Sequence, residues 1–528
     1  MKSFYKSSLA MFLILFFALA SASTAQRIVK IAPTEFGILN KTIEGDTLEN
    51  GDRVDLNTIY VLERGENAYY LLDGSIENRF PLTIVAEDGP GEKPKLVPGV
   101  VGGGESSRAF VPRADLTLKG LYITNMDQAG GLNKNMLRIK AGDVRIVIED
   151  CHLDYDSQSA FRLDKDGIRL YLRNSIISNI GQTVNPNNGR AIDDRGNNID
   201  TLVVENCTFY NITSRVLRDG GGYIKYARFN HNTIVNVGQM MLSVGEVVDF
   251  GFTNNLVING IFMGNPVHAA VKHTALELEP LSDTDLAGLT QNIDIRNNNI
   301  YLDETIINSY PDTVEVAADF DSVALAAMQA AGTTDTNIKE AITFTKGPAV
   351  PVDVMLGIYA DDQSTGDPTA PPFDTGGVGG FGEAGFGVVP FDFSYPNTTM
   401  SYTAGTSDQP LGALTWFGMD IIPVSVQPLT RDGAVVSDFR LLGNYPNPFN
   451  PTTNIQFDLP AAAQITVAVY DLLGRKVWSL APQKMQAGNG QTITVDASAL
   501  TSGVYFYQVK AEMQGAVTIK TGRMLLLK

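Results

Sequence analysis

The strings EDCHLDY (149–155), RNSIISN (173–179), ENCTFYN (205–211), HNTIVN (231–236), TNNLVIN (253–259) and RNNNIYL (296–302) share one design, an Asn- or Asp-rich step leading into an apolar strand. Counted at Asp150, Asn174, Asn206, His231, Asn254 and Asn297, they recur at steps of 24, 32, 25, 23 and 43 residues. A repeat of nearly constant length, with the excess gathered in a few insertions, marks a solenoid. The units alternate and are rich in β-branched residues, so their rungs are strands rather than helices. The chain therefore reads as all-β, a right-handed parallel β-helix over residues 26–302. In such a fold, side chains of consecutive turns stack about 4.8 Å apart in straight columns, so residues distant in sequence are located by column.

Working outward, the first 25 residues read as a secretory signal. Lys2 and Lys6 supply the basic region, Leu9 to Ala20 the apolar core and Ser23-Thr24-Ala25 the cleavage site, so the mature chain is expected to begin at Gln26. The apolar core is too short for a membrane span, and no later stretch is long enough for one. Over the whole chain the formal net charge is −18. Loss of the signal removes two lysines and no acid, which makes it −20. Such a balance argues against nucleic acid as a partner. It suits a secreted protein that holds calcium, and equally one that is simply kept soluble.

Cys151 and Cys207 are the only cysteines. An exported chain would ordinarily pair them. The repeat places them in one column with Ser175 between, two rungs or about 9.6 Å apart. A disulfide needs Cα atoms within about 7 Å. Two buried free thiols are expected.

A second strand in each repeat ends at a glycine: LRIKAG (137–142), RLDKDG (162–167), AIDDRG (191–196), VLRDGG (216–221) and LSVG (242–245). Aligned on Gly142, Gly167, Gly196, Gly220 and Gly245, three consecutive rungs carry a cation beside an acid: Lys165/Asp166, Asp194/Arg195 and Arg218/Asp219. Arg162, Arg190 and Arg215 lie close by. Cleaving a uronate polymer by β-elimination requires neutralisation of the substrate carboxylate and a base for the neighbouring proton. Lys165, Arg195 and Arg218 are the candidates for carboxylate binding and base, with Arg162, Arg190 and Arg215 as substrate-binding residues. Asp194 and Asp219 are candidate calcium ligands or tuning partners. The same pattern also reads as a solvated ion-pair ladder, each exposed pair worth under about 1 kcal/mol.

Other conspicuous residues read as structural. The column Asn174, Asn206, Asn254 and Asn297 suits stacked amides that satisfy turn backbone, with His231 in the same ladder. His268 and His273, in the insertion NPVHAAVKHTALELEP (265–280), lack a third ligand for a metal. Asp193-Asp194 could serve as the paired carboxylates of an inverting hydrolase, but the glycine-flanked histidine segment expected with such a pair is missing.

Residues 303–435 read as an irregular covering segment, with a short helix over Ala317–Ala331, a Gly/Pro-rich loop over 346–390 and an aromatic stretch over 391–418 that packs on the outside of the solenoid. Residues 436–528 contain YPNPFNP (445–451), VAVYDLLGRKVWSL (467–480), SGVYFYQV (502–509) and KTGRMLLLK (520–528), strands spaced as in a small immunoglobulin-like β-sandwich. This region resembles the C-terminal sorting domain of type IX secretion cargo, which implies the secretion machinery as a partner and release or retention at the cell surface.

The rung region resembles the pectate-lyase-like superfamily of parallel β-helices, and FPLTIVAEDGPGEKPKLVPG (80–99) is similar to early rungs of its alginate lyase and chondroitinase B group. That resemblance implies a Lys/Arg pair and Ca2+ on neighbouring rungs, roles that Lys165, Arg195 and Arg218 fill by position. The group's characteristic catalytic segments are not recognisable in this chain. The function expected is an exported monomer acting on an acidic polysaccharide, a lyase on a uronate-containing polymer. The alternative is a non-catalytic surface protein that binds carbohydrate or serves adhesion.

Overall fold

The computed structural model describes residues 27–72, 75–99, 108–182, 185–360, 373–377, 385–421, 439–445, 449–459, 461–471, 475–485, 488–513 and 516–526. The signal and its cleavage site lie outside these residues. The chain forms two compact units, the solenoid with its covering segment and the C-terminal domain.

Each full turn of the solenoid contributes three parallel strands, one to each face. In a representative turn Arg145–Glu149 lies on the first face, His152–Asp156 on the second and Ser159–Leu163 on the third. Every one of these strands pairs in parallel with its equivalents in the turns before and after. The strand Met240–Thr253 runs continuously from third face to first, which joins them into one 16-stranded sheet. The second face is a separate 9-stranded sheet. Ile, Leu, Val and Phe side chains from all three faces fill the interior as a single core.

The asparagine columns follow from the corners. Asp150, Asn174, Asn206, His231, Asn254 and Asn297 all have φ between 50° and 59°, and Gly120 stands in the same place with φ 73°. Left-handed backbone favours Gly, Asn and Asp, which explains the residue choice. One residue further on, a buried ladder runs inside the wall. Asn232 N donates to Asn255 Oδ1 at 2.9 Å, Asn255 N to Asn298 Oδ1 at 2.9 Å and Asn298 N to Asn337 Oδ1 at 3.1 Å. Cys207 N joins it through Asn232 Oδ1 at 3.0 Å, and Cys151 N uses Ser175 Oγ at 3.1 Å. Both thiols are buried and free. Burial pushes each of them up to about 12.

The open ends of the stack are closed by helices. Ile38–Gly45 buries Leu39 and Ile43 into the first turns, and Ser322–Ala331 buries Ala324 and Met328 at the other end. Parallel pairing also continues past residue 302, because Ala318–Phe320 adds to Thr274–Glu279 on the third face. A helix over Val352–Ala360 lies within the stretch read as loop. The aromatic stretch packs on the second face, where Phe391, Phe393, Tyr395 and Leu411 cluster with Tyr210, Val235, Leu256 and Ile258. The C-terminal unit holds a three-stranded and a four-stranded antiparallel sheet over a core of its own. Among the described residues no helix is long and apolar enough to cross a membrane.

The ladder makes a testable difference between neighbouring asparagines. Asn255→Ala strips the acceptor from Asn232 N and Nδ2 and removes the amide donated to Phe229 O, while Asn298 Oδ1 keeps the backbone N–H of residue 255; at about 1–3 kcal/mol for each buried orphan, urea unfolding should show a loss of a few kcal/mol. Asn297→Gly keeps the φ of 53° accessible and should stay within about 0.5 kcal/mol of the parent protein.

Candidate functional site

The third face carries the charge. Its core column is Leu137, Phe161, Ile192, Leu217, Leu242 and Leu276, all fully buried. One residue later in each strand comes the outward column Arg138, Arg162, Asp193, Arg218, Ser243 and Glu277. Two residues before the core column stand Ser159, Arg190, Arg215 and Met240. Arg108 lies two residues before Phe110, which bridges Leu137 in the same sheet.

Aligning on glycines therefore misplaces the columns. It sets Lys165, Asp194 and Arg218 abreast, whereas the strands set Arg162, Asp193 and Arg218 abreast. The turns after these strands differ in length by one to three residues, and a one-residue slip sends a side chain to the opposite face. Lys165 sits at an exposed turn, in none of the strand columns. Arg195 also occupies a turn, with φ 61° and its Nη1 3.9 Å from Asp193. Arg162, Arg190, Arg215 and Arg218 are brought together. Arg108, Arg138, Asp164 and the role of Asp193 were missed, though the apolar residue of each strand would have given the register.

Asp193 is the hub. With a side chain 1% exposed, it receives Arg190 Nη1 at 3.0 Å and Arg218 Nη1 at 2.9 Å. Asp164 receives Arg138 Nε at 2.5 Å and Arg162 Nε at 2.8 Å. Burial works to raise the Asp164 carboxyl, but hydrogen bonds from Arg162 and Arg138 outweigh it and hold the group below its usual range. Arg215 has less to hold it: its Nη1 reaches only Ser214 Oγ, at 3.5 Å. The buried Nε atoms of Arg108, Arg190 and Arg215 have no hydrogen-bond partner. Burial lowers the proton affinity of all three guanidinium groups, and Arg218 adds like-charge repulsion to Arg190 and Arg215. A chain of net charge −18 has thus collected arginines on one face and left part of their donor capacity unused.

Asp194 and Asp219 form a separate pair behind this surface. Asp194 Oδ1 accepts from Gly196 N and Asp219 Oδ1 from Gly221 N, both at 2.9 Å. The two carboxyls also lie close enough to influence each other. Desolvation is the main cause that pushes Asp194 up to about 7, with repulsion from Asp219 adding to it, and desolvation raises Asp219 as well. Calcium takes about six to eight oxygens. This pair supplies two carboxylates already capped by N–H donors, next to arginines. Among the described residues no group of three or more His, Cys, Asp or Glu could hold a metal ion. The donor set does not fit Ca2+. Nor does Asp193-Asp194 form a hydrolytic pair, because one is consumed by arginines and the other by Asp219.

His231 and His273 are tied into the structure. His231, at φ 52°, sets Nδ1 3.3 Å from Gly412 O, and burial brings it down to about 4. His273 Nδ1 meets Glu277 at 3.1 Å.

Asp193→Ala leaves buried arginines without their counter-charge, so unfolding should show a loss of about 3–5 kcal/mol. The Asp194 pair gives a pH signature. Its folded-state proton affinity exceeds that of the unfolded chain, so the native state holds extra protons between the ordinary carboxylate range and about pH 7. Stability should fall as pH rises through that window, and thermal melts of Asp194→Asn should show a shallower fall.

Comparisons with known proteins bear on the second unit. Residues 444–521 match the family described as secretion system C-terminal sorting domain. No curated protein matches the chain. Among solved structures, CopC from Methylosinus trichosporium OB3b is 16% identical, the match covering 17% of this chain and 93% of that one with a TM-score of 0.14. The chain is a parallel β-helix protein that carries a type IX sorting domain and is exported to the cell surface or beyond.

Proposed function

We propose that the protein binds an acidic polysaccharide outside the cell along its arginine face. The observation that carries this reading is the stack of Arg190, Arg215 and Arg218 on the third face, where the Arg218 side chain is 26% exposed and the Arg215 Nη1 meets only Ser214 Oγ, at 3.5 Å. A guanidinium group presents five N–H donors in a planar fork, and a carboxylate or sulfate on a polymer would accept from those left over at its accessible end. Consecutive turns offer such donors about 4.8 Å apart, a linear array suited to a linear chain. The aromatic covering stretch lies on the second face.

A second reading, cleavage of a uronate polymer by β-elimination, draws on the lowered proton affinity of Arg190 and Arg215. In that reaction a base removes the proton beside the carboxylate, the glycosidic oxygen leaves, and an unsaturated uronate results. Arg195 and Arg218 would neutralise the carboxylate and Arg215 would take the proton. Calcium has no part in this scheme.

Arg215→Ala is the variant to test, with a thermal melt to check its fold, since the side chain gives up only a long hydrogen bond to Ser214 Oγ. Calorimetric titration with polygalacturonate, alginate and a sulfated glycosaminoglycan should show at least one complex, weakened about tenfold in the variant, or about 1.4 kcal/mol, and weakened further by salt. Absence of binding to all three polymers would remove the proposal. Ultraviolet absorbance growing with time, and lost in Arg215→Ala, would add cleavage; a flat trace with binding intact leaves a binding protein.

A further inference from the structure

The third face carries cations on more rungs than the proposed function uses. Phe110, Leu137, Phe161, Ile192 and Leu217 mark five consecutive rungs. Lys140 N donates to Pro112 O at 2.9 Å and Asp164 N to Ile139 O at 3.0 Å, which sets Arg113, Lys140 and Asp164 abreast on the first three. Beside them Arg138 and Arg162 share one column with Asp193 and Arg218. The charge then reverses. Ser243 follows Arg218 in that column and Glu277 follows Ser243. Desolvation raises the Glu279 carboxyl at this end, and repulsion from Asp219, Glu246, Glu277 and Asp321 adds to it.

The arginines of the first three rungs are held by acids. Asp164 takes Nε of both Arg138 and Arg162, and Glu77 takes Nε of Arg113. Their side chains stay 28%, 20% and 36% exposed. Lys140 is the exception. It is partly exposed, and among the described residues its Nζ makes no hydrogen bond or ion pair. Desolvation, then repulsion from Arg138, Arg108 and Arg113, lowers its proton affinity by more than attraction from Asp164 restores. Arg108, Arg113, Arg138, Lys140 and Arg162 thus share only Asp164 and Glu77 as ion-pair partners among the described residues. A ladder kept for stability alone would match its charges, because crowded like charges repel.

We propose that Lys140, flanked by Arg113 and Arg138, is a second anion subsite, which makes the third face a track for a polyanion instead of a site for one acidic sugar. An ammonium offers three donors as a compact point charge, suited to a carboxylate or sulfate. Lys140 lies three rungs from Arg218, about 14 Å along the solenoid axis, so only an oligomer reaches both. The acidic rung at Glu277 repels a polyanion, so the polymer extends from Arg218 toward Arg113 and stops at Ser243 on the other side. This inference deepens the arginine-face reading and rests on it.

Calorimetric titration of the full chain tests it, with di- and octasaccharides of polygalacturonate, alginate and a sulfated glycosaminoglycan as probes. At least one octasaccharide should bind more tightly than its disaccharide. Lys140→Ala, whose fold a thermal melt checks, should weaken that octasaccharide about fivefold and shrink its advantage over the disaccharide. Lys225→Ala removes the same charge from an exposed position on the first face and should change neither. An octasaccharide advantage unchanged in Lys140→Ala, or reduced equally by Lys225→Ala, would overturn the subsite; a loss in Arg215→Ala would then leave the arginine reading standing. A parent chain that binds none of the octasaccharides would remove both.

Discussion

A stacked turn must find a partner for every backbone N–H at its corners, and in this protein the partner is a side-chain amide on the next rung. Cys207, Asn232, Asn255 and Asn298 each hand their N–H to the residue one turn on. The interaction fixes register as well as satisfying donors, because an amide displaced by one residue would turn out of the wall. Everything on the outer faces inherits that register, from the arginine columns to the aromatic surface beneath the covering segment.

Much of this was legible in the sequence because corner chemistry is local. A position that must adopt left-handed backbone selects Asn, Asp, His or Gly whatever surrounds it, so Asp150 through Asn297 announce the repeat. The two cysteines could be kept apart by counting rungs. The C-terminal sandwich is marked by strands of regular alternation. The closing helix at Ile38–Gly45 was not legible, since its pattern is short and its role is set by the open end it covers.

The site was harder to read, for a physical reason. Glycine at a turn reports a backbone angle and not a strand position, and turn length varies between rungs. Alignment on Gly196 and Gly220 therefore promoted Asp194, which is turned toward Asp219, above Asp193, which binds Arg190 and Arg218. Lys165 was drawn in by the same slip. The core residues Phe161, Ile192 and Leu217 share one environment and would have aligned the face correctly.

On the function proposed, the guanidinium groups of the third face receive the anionic groups of an extracellular polymer. The most direct measurement is a crystal structure with a bound uronate oligosaccharide. A carboxylate oxygen within hydrogen-bond distance of an Arg215 or Arg218 Nη atom, with further sugar units following the column of rungs, is the predicted result. An oligosaccharide seated elsewhere on the solenoid, with those arginines untouched, would contradict it.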